Sequence, residues 1–235
     1  MIYVTSDLHG FTAEQLQALL AKAGFCAEDE LYVLGDVIDR SGQGGIDTLR
    51  WLMRQDNVEL LQGNHEAMLL GCSFLFDEIT EQFCDEIESG DQLKLLMTWI
   101  RNGAEPTISA LRQLMAEDPA EVFDLLDYLR DAPLYAMVEA GGRDYLLLHG
   151  GLPDFSPAKK LRDYAPHDVL WHRPDWEEAY FDDVTVVLGH APTAYYGGEH
   201  AGRMLVRPTW IDIDTSNVAP MLLRLDDLQA FYVNE

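Results

Sequence analysis

Seven side chains able to ligate metal ions stand at five glycine-marked points of this 235-residue chain. The stretches are Asp7-Leu8-His9-Gly10, Gly35-Asp36-Val37-Ile38-Asp39-Arg40, Gly63-Asn64-His65-Glu66, His149-Gly150-Gly151 and Gly189-His190. Four of the seven histidines fall inside them. Polar residues often follow strands simply because loops are polar, but that does not explain a ligand type at five such points. The donors are carboxylate, imidazole and one amide oxygen, with no thiolate. That mixture suits Mn²⁺, Fe or Zn²⁺ better than Mg²⁺. There are more donors than one ion needs, so two ions sharing a carboxylate are expected. Two ions about 3.5–4 Å apart clamp an in-line displacement and bring the pKa of a bridging water down to ~7. The hydroxide so formed is a nucleophile that requires no side-chain base.

Such a site needs elements that carry its ligands to one place. Each stretch follows a short aliphatic run: Ile2-Tyr3-Val4, Leu31 to Leu34, Val58 to Leu61, Tyr145 to Leu148 and Val184 to Leu188. Runs this short and continuous read as strands buried on both faces. Helical stripes lie between the early ones, at Leu16, Leu19, Leu20 and Ala23, closed by Gly24, and at Ile46, Leu49, Leu52 and Met53. Alternating strand and helix predicts an α/β sheet, which places its sites at the carboxyl ends of the strands. From Glu66 to Asp131 the patterns are helical only. Asp91 is the expected cap of a helix carrying Leu95, Leu96, Trp99 and Ile100. Asp118-Pro119 is expected to open one carrying Val122, Phe123, Leu126 and Leu129. This block is read as an insertion at about 66–131 within a single domain over 1–235. After residue 180 the texture is strand-rich again, with runs at Met204 to Val206, Trp210 to Ile213, Met221 to Leu225 and Phe231 to Val233.

Apolar residues make up 48% of the chain and charged residues 24%, which excludes a disordered or fibrous protein. The formal net charge is −25, and the helical block, with 15 acidic and 4 basic side chains, contributes −11 of it. A field of that sign disfavours nucleic acid and anionic membrane as partners. No run approaches the ~20 apolar residues of a membrane span. The start of the chain lacks a secretory pattern, and Cys26, Cys72 and Cys84 have no metal-site or redox spacing. Buried thiols and a cytoplasmic setting are expected.

The ordered set Asp-x-His, Gly-Asp-x-x-Asp-Arg, Gly-Asn-His-Glu, His-Gly-Gly and Gly-His resembles the calcineurin-like metallophosphoesterases. Glu66 and Gly150-Gly151 resemble the branch of serine/threonine protein phosphatases that includes the bacteriophage lambda type. The resemblance implies a four-layer α/β/β/α sandwich with a dinuclear site between the sheets. It implies that Asp7 and His9 hold one ion, that Asp36 bridges, and that Asn64, His149 and His190 hold the other. Arg40 would bind the substrate phosphate beside Asn64 and His65, and His65 would protonate the leaving oxygen with Asp39 orienting it. A second phosphate-binding arginine is expected at Arg173. Two departures stand out: Gln62 where the phosphatases have arginine, and Ala191 where the pattern has threonine. The leading expectation is a metal-dependent phosphomonoesterase, a serine/threonine protein phosphatase acting on phosphoprotein by direct attack of a metal-bridging hydroxide, with Mn²⁺ the favoured ion. The alternative is a nucleotide hydrolase, the symmetrical diadenosine tetraphosphatase type, which commonly has Gly-Asn-His-Asp and His-Ala-Gly. A non-catalytic scaffold is the third reading, disfavoured because no ligand is lost.

Overall fold

The computed structural model describes residues 1–76 and 90–234. Cys84, expected as a buried thiol, lies outside the described residues. Three parallel strands, β1 (Ile2–Thr5), β2 (Glu30–Val33) and β3 (Val58–Leu60), form the middle and one edge of a first sheet. Two antiparallel strands, β9 (Met221–Arg224) and β10 (Gln229–Tyr232), complete it in the order β10-β9-β1-β2-β3. Helix α1 (Ala13–Ala23) connects β1 to β2, and α2 (Ile46–Leu52) connects β2 to β3. The first begins at a capping box, in which Thr12 accepts from the backbone of Gln15 while the Gln15 side chain accepts from Thr12.

A second sheet has the order β4-β5-β6-β8-β7. Its strands are β4 (Tyr135–Ala140), β5 (Arg143–Leu148), β6 (Val184–Leu188), β7 (Leu205–Val206) and β8 (Trp210–Asp212). Of these β5, β6 and β8 run parallel, so they release their following loops at one end. Strand β4 was not expected. It is an edge strand with Met137 and Glu139 exposed, so it lacks the continuous apolar run of the others. Its signal is Gly141-Gly142, with φ of 57° and 73°, the positive pair that a tight hairpin turn needs.

Period-two alternation sorts the side chains into layers. Val4, Leu34 and Leu61 meet Tyr145, Leu147, Val187 and Ile211 between the sheets. Tyr3, Leu31 and Val33 face outward against the helices. Leu146, Leu148, Val186 and Leu188 face the opposite way, against Leu152, Tyr164, Val169 and Tyr180. Helices thus flank both sheets, as the α/β/β/α expectation requires. The cover on the second sheet is thin: one six-residue helix, α7 (Pro166–Trp171), with turns around it.

Helices α3 (Asn64–Gly71), α4 (Asp91–Arg101), α5 (Glu105–Glu117) and α6 (Pro119–Asp131) lie on the outer face of the first sheet and share its hydrophobic cluster with α1 and α2. A bidentate Arg50–Glu121 pair, with both N–O distances 2.7 Å, ties α2 to α6. Asp118 caps α6 as expected, accepting from Glu121 N. Three expectations are corrected. Asp91 is the first residue of α4 rather than its cap, a place taken by Gly90 at φ 85°. Phe123 is 44% exposed and Leu125 takes its place in the core, because the buried stripe runs through Val122, Leu125, Leu126 and Leu129 and Phe123 lies roughly 110° round the helix from its centre. Cys26 is exposed and donates to Asp29, whereas Cys72 is buried. Among the described residues no helix is long and apolar enough to cross a membrane.

Candidate metal centre

The loops after β1, β2, β5 and β6, together with the start of α3, meet at one place. Asp7 N donates to Gly35 O and His9 N to Asp36 O, which stitches the first two exits together. Asp7, His9, Asp36, Asp39, Arg40 and His190 all have φ between 41° and 75°. They are six of the eight non-glycine residues with positive φ among those described. Each such backbone costs about 1–3 kcal/mol and persists only where its surroundings over-determine it. Here the strain turns side chains back over the strand ends.

Asp36 is the hub. Its Oδ2 lies 3.7 Å from both His9 Nε2 and His65 Nε2, and its Oδ1 lies 3.4 Å from His149 Nε2. Two buried groups at ligand spacing result, His9–Asp36–His65 and Asp36–His149–His190, each with its donor atoms within 4.8 Å of one another. Asp36 belongs to both. Asn64 Oδ1 is 2.9 Å from His149 Nε2. Asp7 Oδ1 is 3.7 Å from His9 Nε2, while its Oδ2 accepts from Ser6 Oγ and from His190 N. The structure therefore gathers all six expected ligands and also brings His65 to ligand distance of Asp36.

The chemistry of this donor set fits divalent cations. His9 Nδ1 donates to Ile38 O and His149 Nδ1 to Leu34 O, which turns each Nε2 inward toward Asp36. His9 Nε2 is buried and has no hydrogen-bond partner. Burial pushes the His9 and His190 imidazoles down to about 3, so both are neutral and able to ligate. Burial, with Asp214 and Asp36 nearby, drives the Asp7 carboxyl well above its ordinary range. Crowded carboxylates of this kind call for positive charge. These His and Asp groups suit a dinuclear divalent metal site.

His65 and Asp39 form the expected pair, with Nδ1 2.5 Å from Oδ2. Burial alone would lower the pKa of His65, but Asp36 and Asp39 outweigh it and hold it above its ordinary value. Arg40 Nη2 lies 3.4 Å from His65 Nε2, so guanidinium and imidazole present themselves together. Arg173 is exposed, its guanidinium 5.7 Å from the centre of the Tyr195 ring, and its charge is felt at His190.

Four contributions to the site escaped the sequence reading, which named Glu66 only as a mark of the family branch and Trp99 only as a helix residue. Trp99 Nε1 donates to Asp39 Oδ2 at 2.7 Å and Thr107 Oγ1 to Asp39 Oδ1 at 2.5 Å, so α4 and α5 clamp the carboxylate from the helical block. No local motif announces contacts that span 60 residues or more. Glu66 accepts from the backbone of Gly63, Asp36 and Val37, locking the second strand exit to the third. Burial, with Asp36 nearby, raises its carboxyl to about 7. Gly63 sits in this knot, where any Cβ would overlap the Asp36 and Glu66 carboxylates. Asp214, just beyond β8, is buried with Oδ2 unpartnered and acts electrostatically on Asp7. It follows a sixth strand exit, but no glycine marks that exit as one marks the other five. Gln62, the departure before Gly63, spends its backbone N–H on Pro133 O.

Comparison with known proteins agrees with this geometry. Residues 1–218 match the calcineurin-like phosphoesterase family. A symmetrical bis(5'-nucleosyl)-tetraphosphatase of Chromobacterium violaceum is 34% identical over 164 residues, 68% of this chain and 47% of the relative. One of Acidovorax sp. is 29% identical over 162 residues, with the same coverage. The chain spans about half the length of these relatives. A protein serine/threonine phosphatase from Saccharomyces cerevisiae, similar to human phosphatase PP5, superposes with a TM-score of 0.60. That match covers 98% of this chain and 79% of the other at 15% identity, a likeness of fold.

Proposed function

We propose that this chain, which belongs to the calcineurin-like phosphoesterase family, hydrolyses phosphoanhydride bonds of dinucleoside polyphosphates. The site, with Asp36 common to two ligand groups, supports phosphoryl chemistry on a pair of ions. The observation that carries the substrate class is the shared name of the curated relatives, symmetrical bis(5'-nucleosyl)-tetraphosphatases. This reverses the order of the sequence reading, in which phosphoprotein led. Phosphoserine or phosphothreonine in protein stays as the second reading, on the strength of Glu66 and Gly150-Gly151.

Asp7, His9, Asp36, Asn64, His149 and His190 would hold two divalent ions, with Mn²⁺ favoured by the oxygen and imidazole donors. Such ions activate water and neutralise charge on the phosphoryl oxygens. The remaining work falls to side chains. Arg40, planar and permanently charged, grips two non-bridging oxygens. Asp39 fixes the His65 tautomer by accepting from Nδ1 and leaves Nε2 to hand a proton to the departing oxygen. Symmetrical cleavage adds one water across the central anhydride and releases two nucleoside diphosphates.

A panel of diadenosine tetraphosphate and a phosphoserine peptide, with Mn²⁺ supplied and Asp36→Asn as control, tests this reading. We expect kcat/KM on the dinucleotide to exceed that on the peptide by at least about tenfold. The opposite order hands the function to the phosphoprotein reading.

A further inference from the structure

The turn that follows His190 carries an aromatic surface that the chemistry above does not use. Tyr195 lies in the turn that follows His190-Ala191-Pro192, five residues from a proposed ligand, and is 59% exposed. Its mounting is built rather than loose. The Tyr196 ring packs edge-on against it with centroids 5.2 Å apart, and packs in turn on the buried Trp210 at 5.6 Å. The Tyr196 hydroxyl donates to Pro174 O at 3.0 Å, which ties this turn to the segment carrying Arg173. The Arg173 guanidinium lies 5.7 Å from the centre of the Tyr195 ring, and its charge reaches His190.

We propose that Tyr195 and Arg173 form a nucleoside subsite, the ring stacking on a nucleobase while the guanidinium meets the adjoining phosphate. The inference rests on the nucleotide reading of the substrate. A chain of net charge −25 repels a polyanionic ligand at long range. Affinity must then come from local cations and from contacts indifferent to charge. Base–aromatic stacking contributes about 1–3 kcal/mol per base and accepts any base, because every base has a π-face. A phosphorylated serine side chain offers nothing flat to such a ring, so the same pair would separate nucleotide from phosphoprotein substrates.

Calorimetric titration of the Mn²⁺-loaded protein with AMP and with inorganic phosphate tests the subsite without turnover. Wild type should bind AMP about tenfold more tightly than phosphate. Tyr195→Ala should bring the two affinities together, and Tyr195→Phe should keep the preference. Diadenosine tetraphosphate should show a matching rise of about tenfold in KM for Tyr195→Ala. Thermal melts confirm that the exposed substitution leaves the fold intact. An AMP preference that survives Tyr195→Ala, or is missing from wild type, overturns the subsite. A wild type that binds AMP through Tyr195 yet leaves the dinucleotide uncut would sink the proposed function while the subsite stands.

Discussion

Trp99 Nε1 reaches Asp39 Oδ2 from 60 residues away in sequence, on the same oxygen that accepts from His65 Nδ1. The helical block is thus a structural part of the His65–Asp39 pair to which the proposed chemistry assigns the proton. Trp99→Phe removes one donor from a buried carboxylate while keeping an aromatic core. We expect kcat to fall about tenfold with KM within a factor of two. The lost hydrogen bond should also cost about 1–3 kcal/mol in urea unfolding. An unchanged kcat would show that Asp39 is held well enough by His65 and Thr107 without the Trp99 donor.

In the proposed reaction the His65–Asp39 pair also sets a pH limb. His65 must be protonated to act as an acid, so the rate falls as pH rises through its folded pKa, which Asp36 and Asp39 hold above the ordinary value. Asp39→Asn withdraws one of those charges. The alkaline limb of kcat should move down by about one pH unit. A limb that stays in place means another group supplies the proton.

Removing the charge of the shared carboxylate addresses both ligand groups together. Asp36→Asn should lower kcat/KM by several orders of magnitude, and metal analysis after dialysis should show both ions reduced. Retention of two tightly held ions would exclude Asp36 as the bridge. Chelation of the wild type should abolish activity, and added Mn²⁺ should restore it.

Gly63→Ala places a methyl group against the Asp36 and Glu66 carboxylates, neither of which can retreat without breaking backbone hydrogen bonds. Overpacking of this kind costs about 1–3 kcal/mol. We expect a lower melting temperature together with weaker metal binding in calorimetry. Normal metal affinity in this variant would refute the close fit.

Far from the centre, Arg50 and Glu121 join α2 to α6 through two parallel hydrogen bonds while partly shielded from solvent. Glu121→Gln should destabilise by about 1 kcal/mol, a melting shift of about 2–4 °C for a chain of this size. The kinetic constants should not move. A change in kcat would mean that this tie also governs the active site.

Much of the centre was legible in the linear chain. A short apolar run ending in Asp, His or Asn beside glycine states both an element and its chemistry, because the carboxyl ends of parallel strands converge whatever the details of packing. Asp7, His9, Asp36, Asn64, His149 and His190 follow from that rule, as does the pairing of His65 with Asp39 once the resemblance is seen. Edge strand β4 was hidden because a strand with one exposed face does not read as an apolar run. The misplacement of Phe123 came from taking neighbouring apolar residues as one helical face. Trp99, Thr107 and the side-by-side setting of Arg173 and Tyr195 belong to the tertiary structure alone. Their partners are set by how α4, α5 and the turn after β6 pack, and such contacts depend on three-dimensional distance between segments that share no local pattern.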